Sequence, residues 1–211
     1  MRKDPQSAGS AAVPAAVRRA SLRQAQGRLS PGAPRARRPR DSRQDAGATG
    51  PLSRSPILIG VISDTHGLLR PEAIAALRGS QYIIHAGDVG APEILEKLSA
   101  IAPVTAVRGN IDKAAWAREL PETQVLEAGG VSIYVLHDLM QLDLKPEAAR
   151  FDVVISGHSH IPKQEMRNGV LYFNPGSAGP RRFRLPVSIG RLKVKDGEVW
   201  GEIVEIVPGS A

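Results

Sequence analysis

A short apolar run followed by a small cluster of Asp, Asn or His recurs five times along this chain. That recurrence narrows the folds open to it. The clusters are Ser63-Asp64-Thr65-His66-Gly67, Gly87-Asp88, Gly109-Asn110, His137-Asp138 and Gly157-His158-Ser159-His160. From Asp64 to Asp88 is 24 residues, on to Asn110 is 22, to His137 is 27 and to His158 is 21. Each interval has the length of one strand–helix or strand–hairpin unit. Loops at the carboxyl ends of strands are where open α/β sheets hold ligands, so five successive elements would deliver polar side chains to one edge.

The runs between the clusters agree. Ile57-Leu58-Ile59-Gly60-Val61-Ile62 is continuously apolar, as expected of a strand buried on both faces. Helices are predicted over residues 70–78 and 91–100, each with a Pro in its first turn (Pro71, Pro92). Strands are predicted over 82–84 and 104–107, so the first half reads β-α-β-α-β and calls for a mostly parallel sheet. In the second half, strands at 124–127 and 131–136 flank Gly129-Gly130, and those at 165–167 and 170–173 flank Asn168-Gly169. A third hairpin is predicted with 187–195 and 198–207 around Asp196-Gly197, and residues 152–156 form a further buried strand. The reading is an α/β chain of two sheets packed face to face with helices outside.

The net charge of +7 invites a nucleic-acid reading, but its location removes most of that. Residues 1–55 hold 12 of the 28 Lys+Arg and 3 of the 21 Asp+Glu, a net of +9, which leaves 56–211 at −2. The basic stretch has no aromatic residue and only five of Val, Leu or Ile, too little apolar surface to offset the entropy of ordering a chain. We expect residues 1–55 to be a disordered Arg/Ala/Pro-rich extension and 56–211 to be the functional domain. The extension could be a basic arm for nucleic acid, densest at Arg35, Arg37, Arg38 and Arg40, or an Arg-rich transit peptide. It shows no repeat, period or site, and we read it as having no working part, as residues added by an overlong gene model would be.

The chain has no Cys, which excludes disulfides, thiolate metal sites and a Cys nucleophile. No apolar run approaches the ~20 residues of a membrane span, and the apolar core of a secretory signal is missing. The expectation is a soluble, cytoplasmic protein without a membrane partner.

Asp64 and His66, like His158 and His160, are two residues apart, so in an extended segment both side chains would face one side. The set comprises three carboxylate or amide oxygens and four imidazole nitrogens. It suits Mn²⁺, Fe²⁺, Ni²⁺, Co²⁺ or Zn²⁺ rather than Ca²⁺. Seven donors exceed what one ion takes from protein. Two ions about 3.5–4 Å apart, sharing a bridging carboxylate, would use them all, and such a pair suits phosphoryl chemistry.

The ordered pattern D-x-H, GD, GN, H, GHxH resembles that of the calcineurin-like metallophosphoesterases, and within them the YfcE-like phosphodiesterases. It is carried by Asp64/His66, Asp88, Asn110, His137 and His158/His160 and extends to Leu120-Pro121, Asn174-Pro175-Gly176-Ser177 and Pro180-Arg181-Arg182. The resemblance spans Ile57 to about Val207. It implies a four-layer αββα sandwich of two mixed sheets. It also implies a hydrolase that cleaves a small phosphodiester with a metal-activated hydroxide, using two divalent ions, Mn²⁺ foremost. One ion would sit on Asp64, His66, Asp88 and His160, the other on Asp88, Asn110, His137 and His158. Asp88 would bridge, and Asn110 would also touch the substrate phosphate; these two are the expected catalytic residues.

Two positions depart from the wider pattern. Where many relatives in the superfamily place a proton-donating His after the Asn, this chain has Ile111 followed by Asp112. Ile cannot protonate a leaving group, which must then leave as a good anion, be protonated by water or be helped by Asp112, and the expectation is a preference for diesters with acidic leaving groups, such as aryl diesters. After His137 stands Asp138 in place of a His-Gly-His, which keeps the donor and loses the second His. His85 reads as a hydrogen-bonded residue beneath the site, Asn174-Pro175-Gly176-Ser177 as a turn under it, and Trp116 and Trp200 as packing residues. Arg181, Arg182 and Arg184 read either as phosphate-binding groups or as a solvated basic loop. Two rivals differ in class: a protein-binding scaffold of the same fold, like the retromer subunit that lost metal-site residues, and a nuclease that holds polyanions with the basic tail.

Overall fold

The computed structural model describes residues 55–207 and 209. The expected extension over 1–55 lies outside the described residues apart from residue 55. The strands are β1 (Ile57–Ile62), β2 (Tyr82–His85), β3 (Val104–Ala106), β4 (Thr123–Ala128), β5 (Val131–Leu136), β6 (Val153–Ile155), β7 (Lys163–Arg167), β8 (Val170–Asn174), β9 (Ser188–Lys195) and β10 (Glu198–Glu205). Helix α1 spans Pro71–Leu77 and α2 spans Pro92–Ser99. Each begins on proline, whose fixed φ and missing N–H suit the first helical turn.

The strands form two mixed five-stranded sheets, ordered β10-β9-β1-β2-β3 and β4-β5-β6-β8-β7. In the first, β1, β2 and β3 run parallel, and β9 pairs antiparallel with β1. In the second, β5, β6 and β8 run parallel between the antiparallel edges β4 and β7. The expected split into a parallel half and a hairpin-rich half is thus only half right. The last hairpin, β9–β10, returns to the first sheet, and the second half has its own parallel centre. Central strands buried on both faces look alike in sequence whichever way they run. The three hairpin turns are as read: Gly129-Gly130, Asn168-Gly169 and Asp196-Gly197 all have positive φ at both central residues, the type I′ geometry.

Alternation along β1 makes the layers. Ile59 and Val61 enter the core between the sheets with Ile84, Ile133, Ile155 and Phe173, while Ile62 enters the core under the helices with Leu77, Leu95 and Leu98. Gly60 on that helical face is required by packing, since a Cβ there would fall on Leu77 Cδ2. The outer face of the second sheet is covered differently. Tyr134, Leu136, Val154 and Val170 are capped by Leu139, Leu142, Leu144 and Phe151 from the connection between β5 and β6. That connection forms only a 3₁₀ turn, Leu139–Gln141, so loop takes the place of α-helix in this outer layer. Trp116 packs on the helical core as expected. Trp200 does not: it is half exposed on the edge strand β10, where one face meets solvent.

Candidate metal centre

Five strands, β1, β2 and β3 of the first sheet and β5 and β6 of the second, end at the same edge of the sandwich. Each is followed by one of the five polar clusters. The clusters are not extended. Asp64, His66, Asp88, His158 and His160 have φ of +54°, +47°, +54°, +66° and +59°. L-residues visit this left-handed region at a cost, and such residues gather at functional sites. The expectation that i, i+2 spacing aligns the pairs through an extended segment is therefore corrected: tight left-handed turns bring them together. Two glycines allow the close approach. A Cβ on Gly109 would fall on the backbone N and Oδ1 of Asp88, and one on Gly157 would fall on Ser63 Oγ.

The side chains meet in two groups. In the first, His66 Nε2 and His160 Nε2 lie 3.2 Å apart. Asp64 Oδ1 is 3.2 Å from His160 Nε2 and 3.9 Å from His66 Nε2. In the second, Asn110 Oδ1 is 3.0 Å from His137 Nε2 and 3.1 Å from His158 Nδ1. Asp88 stands between them: Oδ2 is 3.8 Å from His66 Nε2, and Oδ1 is 3.4 Å from His137 Nε2. All seven residues expected from the sequence are thereby linked at one place. Depth grades across them, with Asp64, Asp88, His137 and His160 buried, His66 partly so, and Asn110 and His158 exposed.

The buried polar atoms fit a divalent cation. Asp64 Oδ1 is sealed from solvent without a hydrogen-bond partner, although its neighbours are two imidazole nitrogens. Asp64, His66 and His160 form one cluster able to hold a metal ion, and Asp64, Asp88 and His137 another. His137 Nδ1 lies 2.7 Å from Ala86 O and donates to it, so Nε2 is the nitrogen that faces Asp88 and Asn110 and would take an ion once its proton is lost. The mixture of N and O donors suits first-row transition ions.

Without an ion, the clustered side chains charge one another, and a bound cation would have to displace the proton of His137. Burial alone would raise the Asp88 carboxyl. The hydrogen bonds from His137 and the Ile111 N–H, with the charges of His137 and His66, outweigh it and hold Asp88 below the usual carboxylate range. Burial pushes His137 down, but its bonds to Asp88 and Ala86 O win and raise it. Burial lowers His66, with Asp88 and Asp64 opposing and His160 and Arg182 adding to the fall.

Residues 57–197 match the family model of the calcineurin-like phosphoesterase superfamily domain. The chain belongs to that superfamily. It is 39% identical over 154 residues to the probable metallophosphoesterase MJ0623 of Methanocaldococcus jannaschii, covering 66% of this chain and 77% of that one. It is 31% identical over 161 residues to the phosphodiesterase YfcE of Escherichia coli K12, covering 62% and 84%. Vacuolar Protein Sorting 29 of Cryptosporidium parvum shares the fold, with a TM-score of 0.60 at 21% identity over 72% of this chain and 99% of that one.

Around the donors, this phosphoesterase domain has supports, among them the turn at Asn174–Ser177 and the His85 that the sequence placed beneath the site, while the parts played by Ser63 and Asp112 had no sequence signal. Ser63 Oγ donates to Asp64 Oδ2 (2.6 Å), as does His158 N (3.1 Å). Ser177 Oγ donates to Asp64 O, and Asn174 Nδ2 donates to Gly157 O, so the turn under the site braces two of its loops. His85 is fully buried against the Thr65 hydroxyl (2.9 Å), and burial lowers it to about 4 despite the nearby Asp112 and Asp64. Asp138 caps the following 3₁₀ turn by accepting from Met140 N. Asp112 is buried and accepts from the backbone N–H of Val89, Gly90 and Gly109, so it cannot serve a leaving group and is a brace instead.

Proposed function

We propose that this protein is a dinuclear-metal phosphodiesterase, with one ion on Asp64, His66, Asp88 and His160 and the other on Asp88, Asn110, His137 and His158. The observation that carries the reading is Asp88, whose two carboxylate oxygens face different donor groups. Asp64 also reaches both groups, but its Oδ2 is taken by Ser63 and His158 N, which leaves Oδ1 for the first group alone. Mn²⁺ is the proposed ion. The family membership and the YfcE relative support hydrolysis of a phosphoester.

Two divalent ions in such a site supply a low-pKa water as nucleophile and offset charge on the phosphoryl oxygens. The protein's own part is positional. Asp88 and the imidazoles, set on braced left-handed turns, hold fixed geometry that need not reorganise during the reaction. Asn110 turns Oδ1 towards His137 and His158, so its exposed amide nitrogen is left to donate to a non-bridging phosphoryl oxygen. Water oxygen bonds to phosphorus, the P–O bond to one alcohol breaks, and a phosphomonoester leaves with that alcohol. Ile111 stands where a proton donor would serve the alcohol, so the alcohol departs as a stable anion or takes its proton from water.

The test is hydrolysis of a chromogenic phosphodiester and monoester by the full chain with Mn²⁺, beside Asp88→Asn. The expected outcome is metal-dependent diesterase activity that the substitution lowers at least a hundredfold, with loss of Mn²⁺ binding. An equally active Asp88→Asn refutes the bridging role. A metal-free, inert protein with a tight protein partner would support the scaffold instead.

A further inference from the structure

Residues 180–186, Pro-Arg-Arg-Phe-Arg-Leu-Pro, lie beside the centre and contribute nothing to its donor set. Three arginines fall within four positions with no carboxylate among them, in a domain whose net charge is −2. None of the three forms a salt bridge among the described residues. Arg181 Nε donates to Leu185 O and closes the loop on itself. Arg182 Nη2 instead reaches to 3.4 Å from His66 Nε2, at the rim of the first donor group. Beside it, Phe183 is 95% exposed with φ of +51°, an aromatic residue in the left-handed region. The left-handed backbone is costly for a bulky residue and holds the ring out in water, and burying an exposed ring is favourable.

Apolar exposure continues around the centre. Leu68, Ile111 and Ile161 are each 40% exposed or more, and they follow His66 by two residues and Asn110 and His160 by one. A strongly polar floor is therefore bordered by apolar side chains, with a guanidinium beside it that has no carboxylate partner among the described residues.

We propose that Arg182 and Phe183 are the substrate-selecting arm of the centre. Arg182 binds a non-bridging oxygen of the phosphoryl group, and Phe183 packs against an aromatic substituent that stays on phosphorus when the other alcohol leaves. This rests on the phosphodiesterase reading and adds the substrate class. A guanidinium matches phosphoryl oxygens in charge and geometry, and a planar ring covers the exposed phenyl at small entropic cost because both are rigid. A diester whose retained substituent is alkyl would engage Arg182 and leave Phe183 in water.

The experiment compares bis(4-nitrophenyl) phosphate with ethyl 4-nitrophenyl phosphate on the full chain with Mn²⁺. The two diesters share a leaving group, so a difference between them reports the remaining substituent and not leaving-group acidity. Arg182→Ala is expected to raise KM for both about 10- to 100-fold and to weaken inhibition by inorganic phosphate equally. Arg182→Lys should recover part of that loss, and calorimetric Mn²⁺ affinity should stay within twofold. Phe183→Ala is expected to raise KM for the bis-aryl ester about fivefold or more and leave the ethyl ester within twofold, with Phe183→Tyr close to wild type. Unchanged KM and phosphate inhibition in Arg182→Ala, or equal effects of Phe183→Ala on both esters, overturns the proposal. An inactive wild type overturns the phosphodiesterase reading; Arg182 is then judged by calorimetric binding of inorganic phosphate, where equal affinity of wild type and Arg182→Ala overturns its role.

Discussion

Asp88 and Asp112 hold each other's loops. Asp88 Oδ1 accepts the N–H of Ile111 at 3.0 Å, and the Asp112 carboxylate accepts those of Val89 at 3.1 Å and Gly90 at 2.8 Å. Asp112 also accepts from Gly109 N at 2.9 Å, within its own loop. Both residues are 3% exposed. The loops after β2 and β3 are thus tied reciprocally, and the tie fixes Asp88 relative to Asn110. A carboxylate accepting several backbone N–H groups is a strong, directional brace.

Asp112→Asn should therefore weaken the metal site without removing a donor. The amide keeps one acceptor oxygen but turns an NH₂ towards a backbone N–H, leaving buried donors unmet at about 1–3 kcal/mol. Groups that orient metal donors commonly change affinity 10- to 100-fold when altered. We expect Mn²⁺ affinity by calorimetry to fall in that range and thermal unfolding to shift down by several degrees. Wild-type affinity in the variant would show that the loops hold without the tie.

Gly157→Ala addresses the first donor group from the other side. The new methyl would fall on Ser63 Oγ and lie 2.7 Å from Asp64 Oδ2, so the Ser63–Asp64 bond must move. Overpacking of this kind costs about 1–3 kcal/mol. Gly169→Ala is the control: its φ of +80° strains Ala, but nothing stands within 4 Å of the new Cβ. Both variants should unfold at lower temperature, and only Gly157→Ala should lose Mn²⁺ affinity. Equal metal binding in the two would mean that Asp64 tolerates the displacement.

The convergence of the seven polar side chains was legible because each stands directly after a recognisable apolar run. Helix starts at Pro71 and Pro92 and the turns at Asn168-Gly169 and Asp196-Gly197 were legible because backbone preference is local. Strand direction was not: β6 and β8 pair in parallel through contacts remote in sequence, and their residues would suit either direction. The left-handed turns at Asp64 and His158 were not legible, because Asp and His tolerate that backbone region without requiring it and are common outside it. Asp112 escaped as a brace because its three partners are backbone groups, which leave no mark on residue identity.

His85 sets a pH dependence that metal-free protein should reveal. Burial lowers its pKa from 6.5 to about 4, so between those values the unfolded chain binds a proton that the folded chain refuses. Stability from this residue is complete above pH 6.5 and is lost as pH falls towards 4, with a slope of up to ~1.4 kcal/mol per pH unit. His85→Gln, neutral throughout, should flatten the curve by that amount in urea unfolding of chelator-treated protein. Parallel curves for the two proteins would show that His85 already carries its proton when folded.

Ile111 offers the sharpest test of how the leaving group departs. Its side chain is 41% exposed, and it follows Asn110 directly, so a longer polar side chain there would meet solvent and substrate rather than core. Its backbone N–H to Asp88 survives substitution. Without a proton donor, the rate should depend steeply on leaving-group pKa, and alkyl diesters should be poor substrates. Ile111→His introduces an imidazole that titrates near neutrality and can protonate an alkoxide, an effect commonly of 10²–10⁴-fold where geometry permits. The variant should raise kcat on an alkyl diester at least tenfold while changing kcat on an aryl diester less than threefold, and the alkyl rate should fall above about pH 7 as the imidazole loses its proton. An alkyl-to-aryl ratio equal to that of wild type would show that proton supply at position 111 does not limit the reaction.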